Sequence, residues 1–362
     1  MRELSIALLG QGFMGKAHSN AYCQAGHFFD LPYRLRRKLI CGRDAAALAR
    51  MAERWEWEET ATDWRAAIDR DDIDAVDIAL PNHLHAPAAI AAAQAGKIVL
   101  CEKPLALSLD EARAMADAAR RVPTLVWFNY RRVPAVAFAH DLIADGRLGT
   151  IYHYDAAYRQ QWGPDLSRAA TWRMDPAQAG SGVADDLLTH LLDTALYLNG
   201  PMTEAVAVNR TFAPNRKVDD AVVAIVRFAN GSVGTFEATR FGIGCKNAKT
   251  FRIHGSGGLL RFNLERLNHL EFVDAANPST EQGPRDLLVT DLKHPIFGNF
   301  WRPGHIIGYE HTFIAALAEF LGCLSRGERF RPDFDDGLAV QRALDALQRS
   351  ATTRAWTTIE AD

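Results

Sequence analysis

The sequence predicts a two-domain α/β protein. A doubly wound parallel sheet is expected over residues 1–130, and a domain built on an open, mainly antiparallel sheet with helices over residues 131–362. Three observations carry this. Short apolar runs alternate with helical patterns through the first third of the chain. A glycine-rich turn joins the first run to the first helical pattern. Past residue 130 strand-like runs follow one another with fewer helices between them. Strands alternating with helices imply right-handed crossovers and a parallel sheet covered on both faces.

Taken in order, strands are expected at 5–9, 38–41, 75–80, 98–101 and 125–128, and helices at 13–25, 44–55, 87–95 and 109–121. A helix at 136–144 stops at Asp145-Gly146, a C-terminal signal. Strands follow at 151–157, 205–211, 221–228, 232–239, 250–254 and 259–262, with helices at 184–198, 311–324 and 336–350. Asn230-Gly231 between two of these strands predicts a two-residue hairpin turn.

The 362 residues suit two domains, and a charged fraction of 23% with 48% hydrophobic residues is ordinary for a folded chain. A net charge of −3 with scattered Lys and Arg argues against nucleic acid and for a small substrate. The five cysteines are odd in number and none are at CxxC spacing, which argues against zinc and redox sites. No leader precedes the first strand and no apolar run would span a bilayer, so the expected compartment is the cytoplasm, with no membrane partner.

Gly10-Gln11-Gly12-Phe13-Met14-Gly15 is G-x-G-x-x-G, placed directly after a strand and opening a helix. Gly10 permits the tight turn, Gly12 lets the backbone approach a pyrophosphate, and Gly15 lets helix and strand pack closely. The helix start offers free N–H groups to phosphate. This is the fingerprint of a Rossmann dinucleotide-binding domain. The second strand ends Cys41-Gly42-Arg43-Asp44, with glycine where an acid for the ribose 2′-hydroxyl is expected. Arg43 could meet a 2′-phosphate or adenine. Asp44 could reach the ribose or cap the next helix. The expected cofactor is NAD, and this stretch does not separate NAD from NADP.

Pro81-Asn82-His83-Leu84-His85 and Glu102-Lys103-Pro104 each follow a strand, beyond whose carboxyl end ligands bind in such sheets. Lys103 is a candidate to exchange a proton with a substrate hydroxyl; an ordinary solvated lysine is the competing reading. Further on, Asp186 and His190 are four residues apart and so share one face of a helix rich in leucine. A carboxylate there can grip hydroxyls and an imidazole can trade protons near neutral pH. A solvated ion pair or a metal site are the alternatives, and no Cys cluster or HExxH supports a metal.

The glycine motif, the Pro81–His85 segment, Glu102-Lys103-Pro104 and Asn129-Tyr130-Arg131-Arg132 together resemble, in order and spacing, the glucose–fructose oxidoreductase / inositol dehydrogenase (Gfo/Idh/MocA) family. The likeness runs along essentially the whole chain. It implies a dehydrogenase moving a hydride between a sugar or polyol carbon and nicotinamide. It implies a cofactor held by Gly10, Gly12, Phe13, Met14, Gly15, Arg43, Asp44, Pro81, Asn82, His85, Glu102, Lys103, Arg132 and Trp162. Lys103, Asp186 and His190 become the catalytic residues, with Tyr158 and Arg173 beside Asp186 and His190 at the substrate. It also implies a homodimer or homotetramer, the open sheets pairing face to face. A stretch holding His294, His305, Tyr309 and His311 could line the sugar site or a subunit surface. A rival reading is an NAD-dependent glycoside hydrolase that oxidises a sugar transiently. The arginines at 159, 168, 173 and 240 leave room there for an acidic sugar such as a sulfoquinovoside.

Overall fold

The computed structural model describes residues 2–165 and 171–361; Arg168 lies outside them. The chain divides into two compact units, Met1–Asn129 with Gly308–Leu338, and Tyr130–Ile307 with Ala339–Asp362.

The first unit holds a sheet of six parallel strands: β1 (Arg2–Leu9), β2 (Tyr33–Cys41), β3 (Glu59–Ala61), β4 (Ala75–Ile78), β5 (Ile98–Cys101) and β6 (Thr124–Val126). Their order is β3-β2-β1-β4-β5-β6, so the winding reverses between β1 and β4. A crevice at the carboxyl ends of the strands follows from that reversal. Leu4–Leu9 of β1 and all of β4 are buried, as a sheet covered on both faces requires. The helices Ala45–Trp55 and Leu109–Ala118 begin where Asp44 and Ser108 accept backbone N–H bonds from Ala47 (3.0 Å) and Glu111 (3.2 Å).

The stretch Gly308–Leu338 clusters with this unit and not with the second domain, where it was expected. The reason is apolar. Its helix Tyr309–Arg326 packs on the helix Phe13–Phe28, and Phe313 lies 5.6 Å from both the His18 ring and the Trp127 ring.

The second unit is built on a sheet of nine strands: β7 (Ile151–Arg159), β8 (Met202–Arg210), β9 (Ala221–Phe228), β10 (Val233–Thr239), β11 (Ala248–Gly255), β12 (Gly258–Asn263), β13 (His269–Asp274), β14 (Arg285–Leu288) and β15 (Thr357–Thr358). The order is β14-β13-β12-β11-β7-β10-β9-β8-β15, antiparallel throughout except for the parallel pair β7 and β10. Along β9, Val222, Ala224, Val226 and Phe228 are buried while Val223, Ile225 and Arg227 face outward, so one face carries the core.

The β9–β10 hairpin forms, but not with the expected two-residue turn. That turn needs positive φ at both central residues, and only Gly231 has it, at +87°. Asn230 instead accepts from the Ser232 N–H at 3.0 Å and donates to the Asn199 carbonyl at 3.1 Å, pinning the loop to a neighbouring helix end. The expected helix over 184–198 is also divided. Ala184–Leu188 is a wide π-helical turn that runs into the α-helix Thr189–Asn199; such turns gather at functional sites. Among the described residues no helix is long and apolar enough to cross a membrane.

Candidate active site

The glycine turn has the shape a pyrophosphate needs. Gly10 takes a φ of +130°, and a Cβ there would fall 2.2 Å from the Ala79 carbonyl oxygen. A Cβ on Gly15 would fall 2.1 Å from the Gly10 carbonyl oxygen, so that glycine is fixed by backbone crossing. A Cβ on Gly12 would meet nothing within 4 Å. Gly12 is therefore glycine without any demand from the fold, as expected where a ligand approaches the backbone. It starts the helix with no side-chain cap, leaving N–H groups for phosphate. Phe13 is exposed and Met14 half-buried at the mouth, with Phe13 stacked on Tyr309 at 6.3 Å. Arg43 and Asp44 are exposed. Asp44 caps its helix, and its backbone N–H and carbonyl are met by the Gln11 side chain at 3.1 and 3.4 Å. A Cβ on Gly42 would meet that same Gln11 amide at 2.0 Å, and the Gln11 side chain would have to move to admit it.

Two strand-end loops flank this turn. His85 is buried, with Nδ1 2.8 Å from the Pro104 carbonyl and Nε2 2.9 Å from the Leu80 carbonyl. It ties the loop after β4 to the loop after β5. Glu102 is buried too: Oε1 lies 2.9 Å from His18 Nε2, and Oε2 accepts the Lys103 N–H at 3.1 Å. The polar atoms of both side chains, expected from the resemblance to belong to cofactor-binding residues, are engaged inside the protein and shape the turn that carries Lys103. Pro81 is half-buried and Asn82 buried at the start of the short turn Asn82–Leu84. Lys103 itself is half-buried.

His18 is the hub beneath these loops. It is wholly buried, and its Nδ1 lies 2.9 Å from Asp77 Oδ2. The Tyr22 hydroxyl and the Trp127 indole N–H donate to Asp77 at 2.8 and 2.9 Å. Burial alone would lower the His18 pKa, but the charge and hydrogen bonds of Asp77, and then of Glu102, outweigh it and lift the value to about 9.

In the second unit the predicted residues Tyr158, Trp162, Asp186 and His190 fall into one constellation. The His190 ring is buried, 4.7 Å from the Tyr130 ring and 6.0 Å from the Tyr158 ring. The Tyr130 and Tyr158 hydroxyls are 3.1 Å apart. Tyr158 donates to Asn247 Oδ1 at 2.7 Å, Gln160 donates to the same atom at 2.9 Å, and the Trp162 indole donates to Gln160 at 2.6 Å. Asp186 pairs with Arg240, Nη2 to Oδ2 at 3.0 Å. Behind His190, the buried Lys249 amine donates to Thr194 Oγ1 at 2.7 Å, and Thr194 donates to the His190 carbonyl at 2.8 Å. The Arg173 guanidinium lies 4.5 Å over Trp172. Arg132 is buried in the turn Asn129–Arg132.

The stretch with four aromatic and imidazole candidates is divided. His294 packs on Phe138 at 4.8 Å, His305 lies beside the Arg302 carbonyl, Tyr309 packs on Phe13 and Phe313, and His311 Nδ1 accepts the Gly308 N–H at 3.1 Å. Sequence reasoning missed His18, Asp77, Tyr130, Gln160, Asn247 and Lys249 as members of either group, and saw Arg240 only as a general cation.

A parallel sheet of this order with a glycine turn at its reversal, carried in one chain with an open antiparallel sheet, defines a dinucleotide-binding oxidoreductase architecture. The chain belongs to the Gfo/Idh/MocA family. Residues 4–130 match its oxidoreductase family, NAD-binding Rossmann fold, and residues 136–261 match its C-terminal domain. It is thus an NAD-binding oxidoreductase. It is 39% identical to levoglucosan dehydrogenase of Pseudarthrobacter phenanthrenivorans over 98% of both chains. The solved structure of levoglucosan dehydrogenase in complex with NADH matches with a TM-score of 0.97 at 40% identity, covering 100% of both chains. An oxidoreductase domain protein from Kribbella flavida matches with a TM-score of 0.96 at 42% identity, again covering 100% of both chains.

Proposed function

We propose that this protein is an NAD-dependent dehydrogenase of a sugar, and that its substrate is a compact, neutral, anhydro-sugar-like pyranose such as levoglucosan. The observation that carries this reading is the second unit's constellation, in which two tyrosine hydroxyls, Asn247, Gln160 and Trp162 share hydrogen bonds, the His190 ring packs on the tyrosines, and the Asp186 carboxylate pairs with the Arg240 that stacks on Trp162. Such a frame offers directional partners to several hydroxyls at once. The levoglucosan dehydrogenase structures, among them one in complex with NADH and levoglucosan at 40% identity, support the same choice. Arg240 is paired with Asp186 and Arg159 with Glu237, which supports a neutral sugar at these two arginines.

Gly10, Gly12 and Gly15 would seat the pyrophosphate of NAD, with Phe13, Met14 and Arg43 around it and Asp44 toward the ribose. Pro81, Asn82, Arg132 and Trp162 would surround the rest. When bound, NAD supplies the acceptor for the hydride leaving the substrate carbon. The protein's part is to hold and to move a proton. Asp186 accepts hydrogen bonds from the sugar, Tyr158 and His190 fix its orientation, and Lys103, aided by His190, takes the proton of the hydroxyl being oxidised. Among the described residues no disulfide joins any of the five cysteines, which supports a reducing compartment.

The test is a thermal-shift comparison of NAD and NADP, followed by turnover with levoglucosan, free pyranoses and cyclitols. NAD should stabilise more than NADP, and NADH should accumulate with the anhydro sugar. Cleavage of a glycoside without net NADH formation would replace this reading with the hydrolase.

A further inference from the structure

The Arg240 guanidinium is an unusual object in the second unit. It follows β10 directly, on the inward side shared by Phe236 and Ala238, and is 1% exposed. A buried cation is costly unless paired and hydrogen-bonded. Its Nη2 donates to Asp186 Oδ2 at 3.0 Å and to the Gly182 carbonyl at 3.3 Å. Its plane stacks on the Trp162 indole, Cζ to ring centroid 4.6 Å. Nε and Nη1 are buried with no hydrogen-bond partner among the described residues. Two donors left unsatisfied mean that this arginine is not placed to maximise its own bonding.

Two further acids lie nearby. Asp219 Oδ1 accepts the Ala184 N–H at 3.0 Å, and Asp185 Oδ2 accepts from Ser181. Burial lifts the Asp219 pKa to about 7, with the Ala184 N–H pulling it down, Asp185 pushing it up and Arg240 pulling it down again. The Asp186 side chain is 25% exposed, and Arg240 meets it through Oδ2.

Resting on the substrate role proposed for Asp186, we infer that Arg240 is a positioning residue for sugar binding. It clamps Asp186 as a directed carboxylate, and its stacking on Trp162 ties that carboxylate to the Gln160–Asn247–Tyr158 frame. A lysine cannot copy this, because it lacks both the planar fork and the stacking face.

The test compares wild type with Arg240→Gln, Arg240→Ala, Arg240→Lys, Asp186→Asn and the Arg240→Gln/Asp186→Asn pair. Sugar affinity is measured by calorimetry on the NADH complex, together with sugar KM, kcat and NAD affinity, using levoglucosan. In Arg240→Gln, sugar Kd and KM should rise on the order of 10- to 100-fold, with NAD affinity falling by a much smaller factor through Trp162 and kcat less affected. Arg240→Lys should recover only part of the loss. Added guanidinium should restore sugar affinity to Arg240→Ala but not to Asp186→Asn. The double variant should be no weaker than Asp186→Asn alone. If Arg240→Gln does not fold, the double variant, which loses the cation with its counter-charge, carries the comparison against Asp186→Asn. Wild-type sugar affinity in Arg240→Gln, additive losses in the double variant, or sugar and NAD affinity falling by the same factor would overturn the inference. Sugar binding without turnover in wild type would count against the dehydrogenase reading alone; no sugar binding in wild type would overturn both.

Discussion

At the scale of single residues, three positions separate chemistry from architecture. Lys103 sits on a turn held from beneath by Glu102 and His85, so removing its side chain leaves the turn standing. Lys103→Ala is expected to lower kcat by on the order of 10²- to 10⁴-fold, while NAD affinity stays near wild type in a titration of the same variant. Gly12 and Gly15 belong to one motif but fail differently. Gly15→Ala forces a Cβ onto the Gly10 carbonyl oxygen at 2.1 Å and should cost about 3 kcal/mol of stability in urea unfolding. Gly12→Ala meets nothing, so its unfolding curve should match wild type while NAD affinity falls on the order of 10-fold.

His18 makes a pH-dependent contribution whose sign is fixed. Its folded pKa of about 9 lies above the ordinary 6.5. Its contribution to stability is therefore full below about 6.5 and is lost as pH rises through about 9. His18→Gln should be less stable than wild type by about 3 kcal/mol near pH 6. That gap should narrow across this window; a gap constant in pH would show that His18 does not act as an imidazolium.

At the scale of elements, much was legible because apolar periodicity and side-chain parity are local. β9 was read to the residue, since Val222, Ala224, Val226 and Phe228 alternate with outward residues. The glycine turn was legible because each glycine answers to a different local demand. Short or charged strands were not: β3 has three residues, and β14 reads Arg-Asp-Leu-Leu. Parity could have found more. Lys249 shares its inward parity with Phe251 and Ile253, and Arg240 shares its own with Phe236 and Ala238. His18 and Tyr22 sit on the buried face of their helix with Gly15 and Ala25. A polar residue at an inward position is the signal. Which partner satisfies it was beyond reach, because Asp77, Glu102 and Thr194 arrive from distant elements.

Lys249 gives the opposite pH signature to His18. Burial lowers its pKa from 10.5 to about 7, the charge of Asp193 resisting. Folding is thus penalised most below about 7, and stability is regained as pH rises toward 10.5. Lys249→Met should be more stable than wild type by about 1–2 kcal/mol near pH 6. The advantage should shrink as alkaline pH neutralises the wild-type amine, as read by denaturant unfolding across that range.

At the scale of the whole molecule, the open face of the nine-stranded sheet is expected to pair with a second copy in a homodimer or homotetramer. Register places Val208 beside Val223 and Val206 beside Ile225 on that face, and Val208, Val223 and Ile225 are exposed. Clustered apolar residues on a sheet face mark an interface. Val223→Lys should reduce the mass seen by light scattering; an unchanged mass would place the interface elsewhere.

The central proposal is that Lys103 and His190 would manage the hydroxyl proton of a substrate CH–OH carbon, with NAD, when bound, as the hydride acceptor. The most direct measurement is to supply levoglucosan deuterated at its ring carbinol carbons with NAD in ordinary water, and to weigh the NADH formed. Deuterium in the NADH, with a slowed rate that Lys103→Ala slows much further, is the expected result. NADH carrying only protium, or sugar conversion with no NADH at all, would contradict it.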